Sequence, residues 1–406
     1  MEHNGNKREN KEKIALFPGM AGLTRDIIER MKSEGVKLLS LDIMVTQKCN
    51  FCCSYCYAEG SPAKTNELSM KEAIAIVDEA IGLGVRIINM QGGEPLIWHP
   101  ADWKGKSGEA LFHLMEYIRA SFAKKGMPLD LVSFTDVALI TEEKARRLAG
   151  LGVALCCKLD SLDQDIQDKL LGTPGGAKKM MQGFNNLIAA GYGKKDMPTI
   201  STNTVVTTLN YGVIKDVFRW SRSHGFRPFV IPVHVHGRAK ENSDIMLSGK
   251  ETKSTLSPKD IKTLFEELAK IDREEFGINW EPLSPWIENK ACSRHLGGVH
   301  IRADGIVVPC SEAPDRWALG DIRKQSLSEI VLSEKVEKFR QVYSQLHEHS
   351  KCSPNNCPLS AAKKCYGCRT RAYDESAFDE NGNFDAARLN PDSFFAGDPA
   401  CWRGTE

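Results

Sequence analysis

Four thiols fall between Cys49 and Cys56 in the run KCNFCCSYCY. Three of them, Cys49, Cys53 and Cys56, stand as C-x3-C-x2-C, with Cys52 inside the first interval. Three thiolates from one short loop can hold three irons of a [4Fe–4S] cube and leave the fourth iron open to an outside ligand. A cluster used only for electron transfer normally takes four cysteines. A structural zinc site also wants four ligands, and no histidine stands at a compelling spacing, so only Cys52 could complete one. The spacing favours an open cluster, with zinc as the alternative. Cys52 itself is expected to be a small side chain packed behind the loop.

The chain has 13 cysteines in 406 residues, and their distribution is uneven. Cys156 and Cys157 sit in the strand-like run VALCCKL and are expected to fill the core. Seven more lie between Cys292 and Cys401. Short repeated spacings of this kind suit metal or cluster ligation in a reducing compartment better than a disulfide framework. The polar start MEHNGNKRENKEK lacks the apolar centre of a signal peptide, and no run is long and apolar enough to span a membrane. A cytoplasmic location is expected. Lys and Arg total 54 against 53 Asp and Glu, which argues against binding nucleic acid through its phosphates.

The elements that must position these thiols alternate regularly. Strand-like runs at 41–47, 85–90, 129–134, 153–159, 198–207 and 227–235 are separated by helical periodicity near 69–83, 107–124, 141–150, 177–190 and 211–224. Strand–helix units in that order predict a parallel α/β sheet. They fall short of the eight units of a closed barrel, so an open, partial barrel is expected. Chemistry gathers at the carboxyl ends of such strands, and each unusual stretch sits at one: the cysteine loop, QGGEP, TDV (135–137), LDS (159–161), TNT (202–204) and HVHGR (234–238). The grammar changes near 240, with a helix expected over 257–275 and short strands and turns beyond.

The cysteine loop after the first strand, Tyr55 before its last cysteine, and Gly92-Gly93-Glu94-Pro95 after the second strand together resemble the radical S-adenosylmethionine (radical SAM) superfamily over roughly 38–235. The resemblance implies a partial (β/α)6 barrel at 38–240, preceded by a polar segment at 1–37. It implies that S-adenosylmethionine chelates the open iron through its methionyl amino and carboxylate groups. Gly92 and Gly93 would let the backbone approach that ligand, Glu94 would anchor the amino group, and Tyr55 would lie by the adenine. Reductive cleavage would then give methionine and a 5′-deoxyadenosyl radical that takes a hydrogen from the substrate, the electron coming from a donor such as flavodoxin or ferredoxin. Two stretches depart from the family's pattern. Lys158-Leu159-Asp160 stands where Ser-x-Asp is frequent, and Thr135-Asp136-Val137 where Thr-Asn-Gly is. Lys158 stands either to reach the cofactor carboxylate or as a structural lysine; Asp160, Asn203 and Thr204 are further cofactor contacts on this reading.

Downstream, Cys292 and Cys310 form C-x12-G-x4-C around Gly305, and IRADGIVVPCS reads as a hairpin turning at Asp304-Gly305. Cys352, Cys357, Cys365 and Cys368 follow, then Cys401. The order resembles the SPASM extension of radical SAM enzymes, which implies a small cysteine-rich domain at 286–406, after a linker and helix at 241–285, with two auxiliary [4Fe–4S] clusters. Cys292, Cys310 and Cys368 would serve the nearer cluster and Cys352, Cys357, Cys365 and Cys401 the outer one. The four-cysteine block is C-x4-C-x7-C-x2-C, against a family spacing of C-x2-C-x5-C-x3-C. Structural zinc is the alternative there.

Auxiliary clusters suit a net oxidation. His234 and His236 are candidates for general acid–base work and Arg238 for gripping a carboxylate or phosphate, unless they bond only the adenosyl group or the extension. The leading reading is modification of a peptide or protein side chain. The alternatives are the same chemistry on a small molecule (a sugar alcohol, porphyrin or lipid-like compound), or a non-catalytic metal-binding regulator. About 40 residues precede the first strand, too few for the leader-binding winged helix that peptide maturases of the family often carry, so recognition would need a separate protein, or the substrate is not a leader peptide.

Overall fold

A computed structural model describes residues 25–234, 236–242, 256–280, 294–344 and 367–375. Helix α1 (Arg25–Ser33) precedes six strand–helix units: β1 (Ser40–Thr46), α2 (Met70–Gly82), β2 (Ile87–Gly92), α3 (Ala110–Lys124), β3 (Asp130–Thr135), α4 (Glu142–Gly150), β4 (Ala154–Lys158), α5 (Gln164–Leu171), α6 (Gly176–Ala189), β5 (Ile200–Val206), α7 (Ile214–Ser223) and β6 (Arg227–Pro232). Then come α8 (Pro258–Phe276), α9 (Arg294–Gly297), β7 (Gly298–Ile301), β8 (Ile306–Val308), β9 (Gly320–Asp321), α10 (Leu327–Val331), α11 (Glu334–Ser344) and α12 (Arg369–Glu375).

The nine strands make one sheet, β6-β5-β4-β3-β2-β1-β7-β8-β9, parallel from β6 through β7. Its ends do not meet, so the barrel is partial, as expected. The alternation of side chains along each strand gives the sheet two different faces. Leu41, Ile43 and Val45 of β1 join Ile76, Val77 and Ala80 of α2 in the main core. The residues between them include Asp42, which accepts from the Asn89 side-chain amide at 2.6 Å inside the sheet.

Several helices start where side chains satisfy their first amides. Ser69 and Glu72 form a capping box on α2, Asp163 caps α5, and Ser257 and Asp260 cap α8. Gly172 in the left-handed region ends α5. That short helix lies in the connection after β4 and was not visible as periodicity, nor was α1.

The sheet continues past the barrel: β7, within the cysteine-rich stretch expected at 286–406, pairs parallel with β1, with Asp42 opposite His300. The β7–β8 hairpin then turns at Gly305, φ +89°, as the sequence predicts. A run of four residues, GVHI, carries too little pattern to announce membership of the larger sheet.

Candidate functional site

The loop after β1 is tied down from three sides. Cys49 N donates to Ser61 O, while Cys52 N and Ser54 N donate to Leu171 O and Leu170 O at the end of α5. Arg238, just beyond β6, donates to Cys53 O at 2.5 Å and Gly60 O at 2.9 Å. Asn242 donates to Ser54 O at 2.8 Å. Two glycines allow the close approaches. A Cβ on Gly237, φ +56°, would stand 2.4 Å from Tyr57 O. One on Gly93 would stand 2.2 Å from Lys48 O. Gly93 is therefore needed to seat the cysteine loop itself, a role distinct from the expected approach to a ligand.

Cys49, Cys53 and Cys56 line one cavity of about 200 Å³, together with Tyr55, Gly92 and Gly93. The strand ends contribute Asp136, Lys158, Asn203 and His234 to the same wall, and the segment after β8 contributes Glu312. Register explains part of this convergence, because Lys158 of β4 pairs with Asn203 of β5. Behind the wall, the Tyr55 hydroxyl donates to the Asp160 carboxylate. Lys158 Nζ lies 2.7 Å from Asp160 and 4.1 Å from the centre of the Tyr55 ring. Val205 N completes the set at 2.9 Å. Burial pulls the Lys158 amine down, but Asp160 outweighs it and the amine sits above its ordinary value.

Burial pushes all three thiols up, Cys53 to about 12 even with Lys158 opposing. They become thiolates only in exchange for a metal charge. Among the described residues no three Cys, His, Asp or Glu side chains converge on a single-ion position. Several polar atoms of the cavity are buried without hydrogen-bond partners among the described residues: Asn203 Oδ1, Asp136 Oδ2 and His234 Nε2. Buried polar atoms are normally satisfied, so these fit a polar ligand that brings donors and acceptors. The residues therefore suit a cluster and S-adenosylmethionine together.

Not every expected residue faces this cavity. Glu94 is fully buried, and its oxygens accept from Leu96 N, Thr135 Oγ1 and Asp136 N at 2.7–3.0 Å. It braces the ends of β2 and β3 and is absent from the cavity wall. Thr204 donates to Leu159 O and Asp160 orients Tyr55 and Lys158, so both support the wall from behind. Arg238 grips backbone carbonyls of the cysteine loop, where sequence reasoning had it grip a substrate anion. Cys52 is exposed, which corrects the expectation that it packs behind the loop; its backbone faces α5 and its side chain turns to solvent. Cys157 is buried in the core as expected, whereas Cys156 reaches the cavity wall.

His234 is buried, 3.3 Å from Glu312. Burial, then the charges of Arg371, His236 and Lys240, hold its pKa well below that of an ordinary histidine. His236 is stacked against it, ring centroids 6.2 Å apart, but lines a second space. That space, about 720 Å³, is bounded by the cysteine loop, the turn Gly237–Glu241 and the β7–β8 hairpin, and shares Tyr57 and Ala58 with the first. Its wall carries Lys240 and Arg302 beside Glu59, Glu241, Asp304 and Asp315. Burial lifts the Glu94 carboxyl above the usual range, and burial with Glu94 beside it lifts Asp136 further. Sequence reasoning missed Glu312 and treated Asp136 only as a departure. The one available signal for Glu312 was its place two residues after Cys310.

Of the auxiliary set, Cys310 is partly buried and Cys368 buried, its sulfur 3.1 Å from Thr370 Oγ1. Cys292, Cys352, Cys357, Cys365 and Cys401 lie outside the described residues. No described helix is long and apolar enough to cross a membrane.

Residues 43–221 match the model of the radical SAM superfamily, and 292–358 match SPASM, an iron–sulfur cluster-binding domain. That second match ends before Cys365, Cys368 and Cys401. The chain is 29% identical to an AdoMet-dependent heme synthase of Nitratidesulfovibrio vulgaris, over 82% of this chain and 87% of the other. It is 23% identical to the sporulation killing factor maturation protein SkfB of Bacillus subtilis, over 88% and 77%. Among solved structures, native anSMEcpe with bound AdoMet and Kp18Cys peptide superposes with a TM-score of 0.61 at 18% identity, over 90% and 95%.

Proposed function

Given a chain that belongs to the radical SAM superfamily and carries a SPASM iron–sulfur domain, we propose that it oxidises a peptide or protein side chain by hydrogen abstraction. Cys49, Cys53 and Cys56 would hold a cluster beside S-adenosylmethionine, and the pair when bound would supply radical hydrogen abstraction. The observation that carries the substrate half is the second space beside the cofactor cavity. Its wall presents charged groups of both signs, with Arg302 already paired to Asp304 and Asp315. Such a wall suits a polar, zwitterionic chain. The relationship to SkfB, a maturation protein by name, supports the same reading.

The chain's residues divide the work by position. Arg238, Asn242 and Gly237 hold the cysteine loop against the strand ends. Asp160 fixes Tyr55 and Lys158 on one side of the cavity, leaving the Lys158 amine charged and beside bound anionic groups. His234 is neutral near pH 7 and lines the same cavity with Glu312, where the pair can take up a proton released from an oxidised substrate. The remaining electron would pass to auxiliary clusters held by Cys310, Cys368 and the cysteines at 292, 352, 357, 365 and 401. A flavodoxin or ferredoxin would supply the reducing electron, and a reducing cytoplasm suits so many free thiols.

Kinship with a heme synthase at 29% identity over most of both chains favours one other reading, oxidative chemistry on a small carboxylic acid such as a porphyrin. The two separate by experiment. The anaerobically reconstituted chain, holding about twelve irons on this account, is supplied with S-adenosylmethionine, a reductant and peptides encoded beside its gene. Mass spectrometry should show a peptide that has lost two hydrogens. An unchanged peptide together with a decarboxylated porphyrin would overturn the peptide reading, and about four irons per chain would remove the auxiliary clusters.

A further inference from the structure

The family pattern places the cofactor's amino group on the Glu of GGEP, but in this chain that carboxylate is already engaged. Glu94 Oε1 accepts from Leu96 N at 3.0 Å, and Oε2 accepts from Thr135 Oγ1 at 3.0 Å and Asp136 N at 2.7 Å. It is wholly buried and forms no part of the cavity wall. The residue whose backbone it holds is differently placed. Asp136 lines the cavity with Cys49, Cys53 and Cys56 and is 6% exposed. Its Oδ1 accepts from Ala138 N at 2.9 Å, which fixes the carboxyl plane, and its Oδ2 is buried with no hydrogen-bond partner among the described residues. Asn50 of the cysteine loop and Glu94 lie within side-chain hydrogen-bonding reach of the same carboxyl group, so the cofactor's amino group would share Asp136 with them. Position 136 is also where the sequence departs from Thr-Asn-Gly.

Resting on the radical SAM reading of this cavity, we infer that Asp136, braced by Glu94, accepts the hydrogen bond from the methionyl amino group of S-adenosylmethionine. Glu94 is then a positioning residue: it fixes the Asp136 backbone through Oε2 and the turn Pro95–Ile97 through Oε1. An Asn at 136 would present an uncharged amide. Burial and Glu94 favour the protonated Asp136, and the cofactor's ammonium would draw it back to the carboxylate, which offers acceptors only and takes a stronger hydrogen bond than a neutral group.

The test is binding, measured by equilibrium dialysis on the anaerobically reconstituted chain with two probes, S-adenosylhomocysteine and its analogue lacking the amino group. Asp136→Asn should weaken S-adenosylhomocysteine about ten- to a hundred-fold and leave the deamino analogue within about two-fold. Glu94→Gln should weaken both probes alike, because it acts on the shape of the wall. Equal losses for both probes in Asp136→Asn, or a loss confined to the amino probe in Glu94→Gln, would overturn the assignment. Iron content checks that each variant is folded; should Asp136→Asn lose its iron, Asp136→Ser supplies the same comparison. If the unsubstituted chain holds its iron yet binds neither probe, the cofactor reading itself fails and takes this inference with it.

Discussion

The Arg238 guanidinium donates to the carbonyl of Cys53, 185 positions earlier in the chain, at 2.5 Å. Its second branch reaches Gly60 O at 2.9 Å, so one planar side chain spans the cysteine loop from within to its far end. Charged donors on buried carbonyls contribute about 1.5–3 kcal/mol each when both partners are satisfied. Arg238→Ala should lower the stability of the reconstituted chain by about that much or more and reduce its iron. Arg238→Lys should recover only part, because an ammonium cannot span both carbonyls in one plane. Equal iron content in all three would show that the loop is held by other means.

Gly93 makes a sharper demand on the same loop. Its Cβ would stand 2.2 Å from the Lys48 carbonyl, and a backbone oxygen cannot swing away as a long side chain can. Gly93→Ala should cost about 1–3 kcal/mol or more through overpacking and displace the loop. Gly82→Ala is the control, since nothing lies within 4 Å of a Cβ there. Iron content and thermal unfolding should fall for the first variant only; similar behaviour of both would contradict the packing described.

His234 ties acid sensitivity to the mouth of the cavity. Its folded pKa is depressed, by burial first and by Arg371, His236 and Lys240 next. The unfolded chain therefore takes the proton first, near pH ~6.5. Stability that is full above that value is lost as pH falls through it and below. Melting temperatures taken at about pH 7.5 and about pH 5.5 should fall less in His234→Gln than in the unsubstituted chain. Equal falls would mean that His234 is not held neutral.

Much of this was legible in the sequence, for physical reasons. Buried parallel strands read as apolar runs, so the six strands and most helices between them are visible, and C-x3-C-x2-C with GGEP marks two strand ends on its own. What was not legible depends on contacts distant in sequence. Nothing local says that Arg238 turns back onto Cys53, that Glu94 spends its oxygens on Leu96, Thr135 and Asp136, or that Cys52 faces solvent. The β7–β8 hairpin was legible, but its place beside β1 was not, because that is set by pairing alone. Glu312 reaches His234 only because that hairpin brings it there.

The central claim is that Cys49, Cys53 and Cys56 hold a cluster whose open iron binds S-adenosylmethionine, with Cys52 a bystander. The measurement is 5′-deoxyadenosine released on reduction of the anaerobically reconstituted chain with S-adenosylmethionine. The unsubstituted chain and Cys52→Ser should both form it, and the variant with Cys49, Cys53 and Cys56 all changed to Ala should form none while keeping whatever iron the auxiliary sites hold. 5′-Deoxyadenosine from that triple variant, or its loss in Cys52→Ser, would contradict the account.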